Sequence, residues 1–386
     1  MKINRPGVLL TLLYKLGILL VNVLQQLKTR IPQAWRKPLL VIGIILLVVV
    51  WSDYMRVLNR PLIEDDQPQT YVVERGSNLT RIVYDLEKKG LIERPRYLLL
   101  HARLHGSANQ ISTGEYHIRP KQTAKQFLQQ LLDGKVIQYA LTIVEGWSFT
   151  QFMTEVRQNA YLQQTLQGLS DKAIMLKLGY PEQHPEGRFY PDTYHFPRGT
   201  PDVQFLQRAY RAMQNYLQQA WQERAIGLPF KDMDEALVMA SVVEKETGLA
   251  SERQAIAGVF IRRLEKGMRL QSDPTVIYGM GKRYQGNIRR RDLLEDTPYN
   301  TYRRFGLPPT PIAMPGKDAI YATLHPQEGD ALYFVSRGDG SHHFSATLEE
   351  HNKAVIKYQL KGRKKSFSSF DAKSETAKPE TAKPEQ

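Results

Sequence analysis

The chain has 386 residues, 42% of them hydrophobic and 24% charged, an ordinary globular balance with room for two or three folded units. It has no cysteine, which excludes disulfides and thiolate-bound metals. The formal net charge of +14 invites a nucleic-acid reading. No zinc-finger spacing or RNA-binding aromatic signature accompanies that charge, so no nucleic acid is expected as a partner.

The charge is uneven along the chain. Residues 1–52 hold seven Lys or Arg and no acid, which is half the excess. Pro38 to Ser52 then reads PLLVIGIILLVVVWS without a charge. At 15 residues the run is short of the roughly 20 that span a bilayer. Neighbouring Ala34, Trp35, Tyr54 and Met55 extend it, and Arg36 and Lys37 are able to snorkel. Trp35 and Trp51 suit an aromatic belt. The alternative, a buried core helix, is seldom apolar on every face. A transmembrane helix is therefore expected over 38–55, with 1–37 a basic cytoplasmic segment by the positive-inside rule. Everything later lies beyond the inner membrane, in the periplasm. Gly7 to Leu27 is apolar but broken by Lys15 and Asn22, and reads as an amphipathic helix on the membrane surface. No small-residue cleavage site follows the apolar run, so a cleaved signal peptide is not expected.

Residues 56–70 read as a polar, Pro-containing linker. Tyr71-Val72-Val73 is strand-like, Gly76-Ser77 turns, and Leu79, Ile82, Val83 and Leu86 mark a helix closed by Gly90. Gly114 to Ile118 alternates as a strand, and Ala124 to Leu132 is helical up to Gly134. Val73-Glu-Arg-Gly-Ser77 and Val144-Glu-Gly-Trp-Ser148 echo each other, each leading into a helix. Both are similar to the start of LysM-type peptidoglycan-binding units. A long amphipathic helix is expected over 200–226, whose Met and aromatic stripe reads as core. From Lys361 the chain becomes basic and then repeats ETAKP, at 375–379 and 380–384, a composition that favours disorder.

The densest candidate chemistry lies between Asp234 and Asn352. Asp234 to Thr247 reads DEALVMASVVEKET, a helix with acids at its start, as the macrodipole favours. Glu246 follows Val243, Val242 and Met239 at helical spacing, so its carboxyl sits on an apolar face. Burial raises a carboxyl pKa and keeps it protonated, as a general acid for glycosidic cleavage requires. Glu244 competes, with smaller neighbours Ser241, Ala240 and Leu237, and either Glu could instead pair with Lys245, Arg253 or Arg262. Gln271-Ser272-Asp273 precedes a proline, where Asp commonly caps a turn. Tyr299 to Tyr302 and Gly306 to Pro309 form polar, aromatic loops suited to lining a sugar groove. His342, His343 and His351 lack a known ligand spacing, so no metal is expected.

At these residues the chain closely resembles the MltG/YceG-like family of endolytic murein transglycosylases. The shared stretches include Glu186 to Tyr194, Met239 to Thr247, Ala257 to Leu264, Gly267 to Gly279, Pro298 to Tyr302, Gly306 to Pro309 and His351-Asn352. The resemblance runs from about Tyr71 to Tyr358. It implies an α+β protein with an N-terminal membrane helix, a small LysM-like subdomain (71–137), a mixed α/β catalytic domain (138–360) and a tail (361–386). It also implies that the second Glu of Glu-Lys-Glu-Thr, Glu246, is catalytic. Candidates for holding the sugar are Gln271, Ser272, Asp273, Asn300 and Tyr302. No cofactor is implied. The partners implied are peptidoglycan glycan strands, the inner membrane and peptidoglycan synthases. Two other readings stay open: a hydrolytic muramidase, and a noncatalytic peptidoglycan-binding scaffold.

Overall fold

A computed structural model describes residues 32–104 and 111–360. The expected surface helix at 7–27 and the ETAKP tail lie outside the described residues. The chain divides into two compact units. One runs up to Tyr139 and adds His195–Thr200; the other comprises Ala140–Tyr194 and the chain from Pro201 onward.

The first unit begins with helix α1, Gln33–Asn59. It is long and apolar enough to cross a membrane, with mean hydropathy 2.2 in its most apolar stretch and none of that stretch buried. Leu39 to Trp51 present exposed apolar side chains. The last turns behave differently. Leu58 is buried in the core of this unit together with Leu62 and Ile63, which lie in the polar stretch after the helix. Asp53 accepts from Arg94 and Tyr97, and Tyr54 bonds His101 at 2.9 Å.

Strand β1 (Gln69–Val73) follows, then helices α2 (Leu79–Lys88) and α3 (Pro95–Leu104), strand β2 (Gly114–Ile118) and helix α4 (Ala124–Leu132). The strands pair antiparallel with Tyr71 opposite Tyr116. Side chains alternate faces along a strand, so Tyr71 and Val73 point inward with Ile82, Val83, Leu86 and Phe127. Gly76 makes the turn after β1 at φ 80, a conformation glycine adopts without penalty. Asn78 then caps α2 by accepting the Arg81 N–H at 2.8 Å. Buried Glu115 accepts from Arg198 and Tyr139 in the same unit.

The second unit carries the other half of the sequence echo. Strand β3 (Gln138–Thr142) leads to Gly146 at φ 76 and to helix α5 (Phe149–Gln158). Ser148 and Gln151 close a reciprocal capping box at the start of that helix. Helix α6 (Asp171–Leu178) comes next, strand β4 (Thr193–Pro197) then carries the chain into the segment that belongs to the first unit, and helix α7 (Asp202–Gln222) resumes the second. The Met and aromatic stripe of α7 is core, with Phe205, Tyr210, Met213 and Leu217 buried.

Helix α8 (Met233–Glu246) runs through the middle of this unit, capped by Asp232, which accepts the Glu235 N–H at 2.9 Å. Ala236 to Val243 are buried without interruption, so α8 is covered on every side. Its neighbours are α7, helix α9 (Arg253–Glu265) and a later helix, Lys317–Leu324. Burying each large side chain of α8 contributes on the order of 2 kcal/mol. Helices α10 (Asp273–Met280) and α11 (Arg290–Leu294) precede that later helix, α12. Strands β5 (Tyr333–Ser336) and β6 (His342–Ser345) pair antiparallel, and α13 (Leu348–Tyr358) closes the unit.

Candidate active site

Helix α8 ends at Glu246 because Thr247 turns extended, at φ -145 and ψ 135. The terminal carboxyl faces a cavity of about 410 Å³, lined also by Arg263, Gln271, Asp273, Tyr302, Tyr333, His351 and Asn352. The Ser272 hydroxyl donates to Glu246 Oε1 at 2.5 Å. Burial pushes the Glu246 pKa up to about 7 from an ordinary 4.5, and the Asp273 charge adds to the rise. The Ser272 hydrogen bond and the Arg263 guanidinium oppose it. At neutral pH the group is therefore divided between acid and carboxylate. That balance suits a residue that must both give and take a proton.

The irregular segment between α9 and α10 carries three of the residues around this carboxyl. Gln271 adopts a left-handed backbone at φ 53, unusual for a residue with a Cβ. Its N–H donates to Thr301 O at 3.1 Å, and its side-chain oxygen accepts from Arg263 at 3.1 Å. Ser272 is buried, and its N–H donates to Thr301 Oγ1 at 2.9 Å. It stands at the N-cap of α10 but spends its hydroxyl on Glu246 instead of on the helix. Asp273 opens α10 and accepts the Tyr302 hydroxyl at 2.6 Å. Burial and the Asp273 charge push the Tyr302 pKa far up, so its hydroxyl keeps its proton.

Asn300 is placed otherwise. It is fully buried, and its amide donates to the carbonyls of Asp292, Leu293 and Glu295 at 3.3, 3.1 and 2.6 Å. Its oxygen accepts the Tyr302 N–H at 3.0 Å. It thus braces the loop that carries Tyr302 and does not line the cavity. The structure brings Gln271, Ser272, Asp273 and Tyr302 together around Glu246 and sets Asn300 behind them.

Glu244 points elsewhere. Its carboxylate accepts the Gly316 N–H at 3.0 Å, at the start of α12, where an anion complements the helix dipole. The Glu145 carboxylate lies against Gly316, where a Cβ would force it to move. Glu186 is the other carboxyl pushed up to about 7 by burial. It accepts the Phe149 N–H at 2.8 Å and the Tyr278 hydroxyl at 3.1 Å, inside the packed core.

The sequence reading passed over Arg263 and Tyr333. Arg263 is buried on α9 and donates to the carbonyls of Leu332, Leu270 and Arg269 as well as to Gln271. Its guanidinium sits 5.0 Å over the Tyr333 ring, a cation–π contact. The available signal was a cation on an otherwise buried helical face. Of the histidines, His351 stacks on Tyr333 at the cavity, and His342 bonds Glu252 at 2.7 Å.

Residues 71–357 match the YceG-like family. A Bacillus subtilis protein named endolytic murein transglycosylase is 30% identical over 323 residues, 79% of this chain and 89% of that protein. Streptococcus pneumoniae proteins of the same name are 26% identical over 344 residues; the match takes in 80% of this chain and 62% of theirs. A crystal structure of a YceG-like protein from Listeria monocytogenes is 28% identical and covers 75% of this chain and all of that one, at a TM-score of 0.46. The long match to the family and the extended similarity to the Bacillus protein place this chain: it belongs to the YceG-like family.

Proposed function

We propose that the chain is an endolytic lytic transglycosylase that cuts the MurNAc–GlcNAc bond of nascent peptidoglycan strands. The observation that carries this reading is Glu246, a carboxyl at a cavity wall with its pKa raised to about 7. Similarity to proteins named endolytic murein transglycosylases supports it. Protonated Glu246 gives its proton to the glycosidic oxygen, and the C1–O bond breaks with its electron pair leaving on that oxygen. The oxocarbenium-like centre at C1 is stabilised directly or by the neighbouring N-acetyl group. The Glu246 carboxylate then takes the proton of the C6 hydroxyl of the same MurNAc. The C6 oxygen bonds to C1, a 1,6-anhydro ring closes, and Glu246 is protonated again. No water is consumed, and one carboxyl serves as acid and then base. Ser272 holds that carboxyl in place, and Gln271, Asp273 and Tyr302 contact the sugar.

A second reading, a hydrolytic muramidase, draws on one observation: Asp273 lines the same cavity and offers a second carboxylate. Digestion of isolated strands followed by product mass separates the two. Anhydro-MurNAc ends are expected; reducing MurNAc ends would establish hydrolysis. Intact strands retained by the protein would establish a noncatalytic scaffold.

Helix α1 serves as the inner-membrane anchor, with residues 1–37 cytoplasmic and both units periplasmic. Its apolar length and the basic, acid-free segment before it support this orientation. The strand–helix–helix–strand order of β1 to β2 supports a LysM-like role in gripping glycan over 71–137. Cutting so close to the bilayer would end strands as peptidoglycan synthases extend them.

A further inference from the structure

We propose that the basic loop between α10 and α11 is a docking site for the carboxylate-bearing peptides attached to the glycan, so that the enzyme prefers peptide-substituted strands. This deepens the proposed function and rests on it. Lys282, Arg283, Arg289, Arg290 and Arg291 all lie exposed within ten positions. Arg283 is neutralised by a two-armed contact with Glu295 at 3.1 and 3.0 Å, and Arg291 approaches Asp292 at 3.7 Å. Lys282, Arg289 and Arg290 have no ion-pair partner among the described residues.

The loop is built rather than loose. Asp292 is buried and accepts the Arg289 N–H at 2.8 Å. The buried Asn300 amide gathers three carbonyls of the same turn. Gly279 lets the returning chain lie close, since a Cβ there would stand 3.0 Å from Thr297 Oγ1 and 3.1 Å from Tyr299 Cβ. The loop borders an open cavity of about 400 Å³ lined by Arg289 with Gln285 and Asn287, and by Asp292 and Glu295, whose carboxylates are engaged by Arg291 and Arg283; Lys282 and Arg290 do not line it.

Connectivity ties this cavity to the cutting site. The chain leaves the Glu246 cavity at Asp273, forms the basic loop after α10, and returns at Tyr302. The eight residues of α10 rise roughly 12 Å, so Lys282, two residues past its end, stands about one helix length from Asp273. A peptide branching from a bound sugar can cover that span. Guanidinium groups match carboxylates in planar, two-pronged contacts. The Gln and Asn amides match the peptide's own amides. A concave site with amides beside the unpaired Arg289 suits a discrete peptide better than a flat anionic bilayer, whose binders insert apolar side chains.

The test combines Lys282→Gln, Arg289→Gln and Arg290→Gln in the full chain. Cutting is measured on strands that keep their peptides and on strands freed of them by an amidase. On peptide-bearing strands kcat/KM is expected to fall about tenfold and lose much of its salt dependence, as for a few exposed charge contacts. On peptide-free strands it should not change, which also shows an intact fold. Equal losses on both substrates, or none, overturn the proposal. So does unchanged cutting with lost binding to vesicles containing anionic lipid, which would assign the loop to the membrane. If the unaltered protein cuts neither substrate, the proposed function fails. The affinities of Glu246→Gln for the two strand types, with and without the triple substitution, then decide the loop independently.

Discussion

Glu246→Gln tests both the chemistry and the physics of the site, because the raised pKa makes the native carboxyl costly. Between about 4.5 and about 7 the unfolded chain has lost this proton while the folded protein keeps it. The folded state then binds more protons than the unfolded one, so stability falls as pH rises through that window. One pKa unit corresponds to about 1.4 kcal/mol, and the interval is worth about 3 kcal/mol once pH exceeds 7. Glutamine keeps the shape and an oxygen for the Ser272 hydroxyl but has no charge to bury. The variant should therefore cut no glycan yet melt higher than the parent at pH 8, by roughly 6–12 °C for a unit of this size. At pH 4 the two should melt together. Glu186 titrates in the same window, but it is common to both proteins and cancels in the difference. Differential scanning calorimetry at the two pH values, with strand digestion alongside, provides the assay. A melting difference that does not change with pH would refute the burial argument, and retained cutting would reject Glu246 as the acid.

Ser272→Ala removes a hydrogen bond that favours the carboxylate, so the Glu246 pKa should rise further. The falling, alkaline limb of the kcat/KM profile should move up by about one to two pH units, from a contact worth about 1.5–3 kcal/mol. Asn300→Ala leaves the carbonyls of Asp292, Leu293 and Glu295 without this donor, only the first of them in a buried bond, and should cost about 2–4 kcal/mol in urea unfolding. Glycan cutting by the molecules that remain folded should drop only a few-fold. A chain starting at Ser52 should stay folded and leave the membrane fraction. One starting at Thr70 strips Leu58, Leu62 and Ile63 from their core at about 2–3 kcal/mol each and should unfold the first unit, as proteolysis would show.

How much of this could be read from sequence differs from element to element. The helices after Asn78, Thr123 and Ser148 were plain, because each of these residues bonds the backbone three residues on. The turn glycines at 76 and 146 were plain for the same local reason. The choice between Glu244 and Glu246 was not open to periodicity. With Ala236 to Val243 buried all round, α8 has no apolar face to compare with a polar one. What separates the two carboxyls is who meets them: Gly316 for Glu244, Ser272 for Glu246, both remote in sequence. Arg263 and Tyr333 were hidden because they reach the cavity from α9 and β5, elements with no local sign of chemistry. Asn300 stands beside Tyr302 in sequence, yet the turn sends one side chain inward to the carbonyls and the other to Asp273.

The last turns of α1 carry a consequence for where the protein works. A domain on a loose tether tumbles and samples a wide hemisphere. Here the helix does not end before the first unit begins: Asp53, Tyr54 and Leu58 are already fastened into it. With α1 as the anchor, about eight residues separate Ser52 from Asn59, a rise of roughly 12 Å. Altitude and tilt of the first unit are then set by a stiff stalk. If α1 is the anchor proposed above, such a stalk confines the first unit to a thin slab parallel to the bilayer.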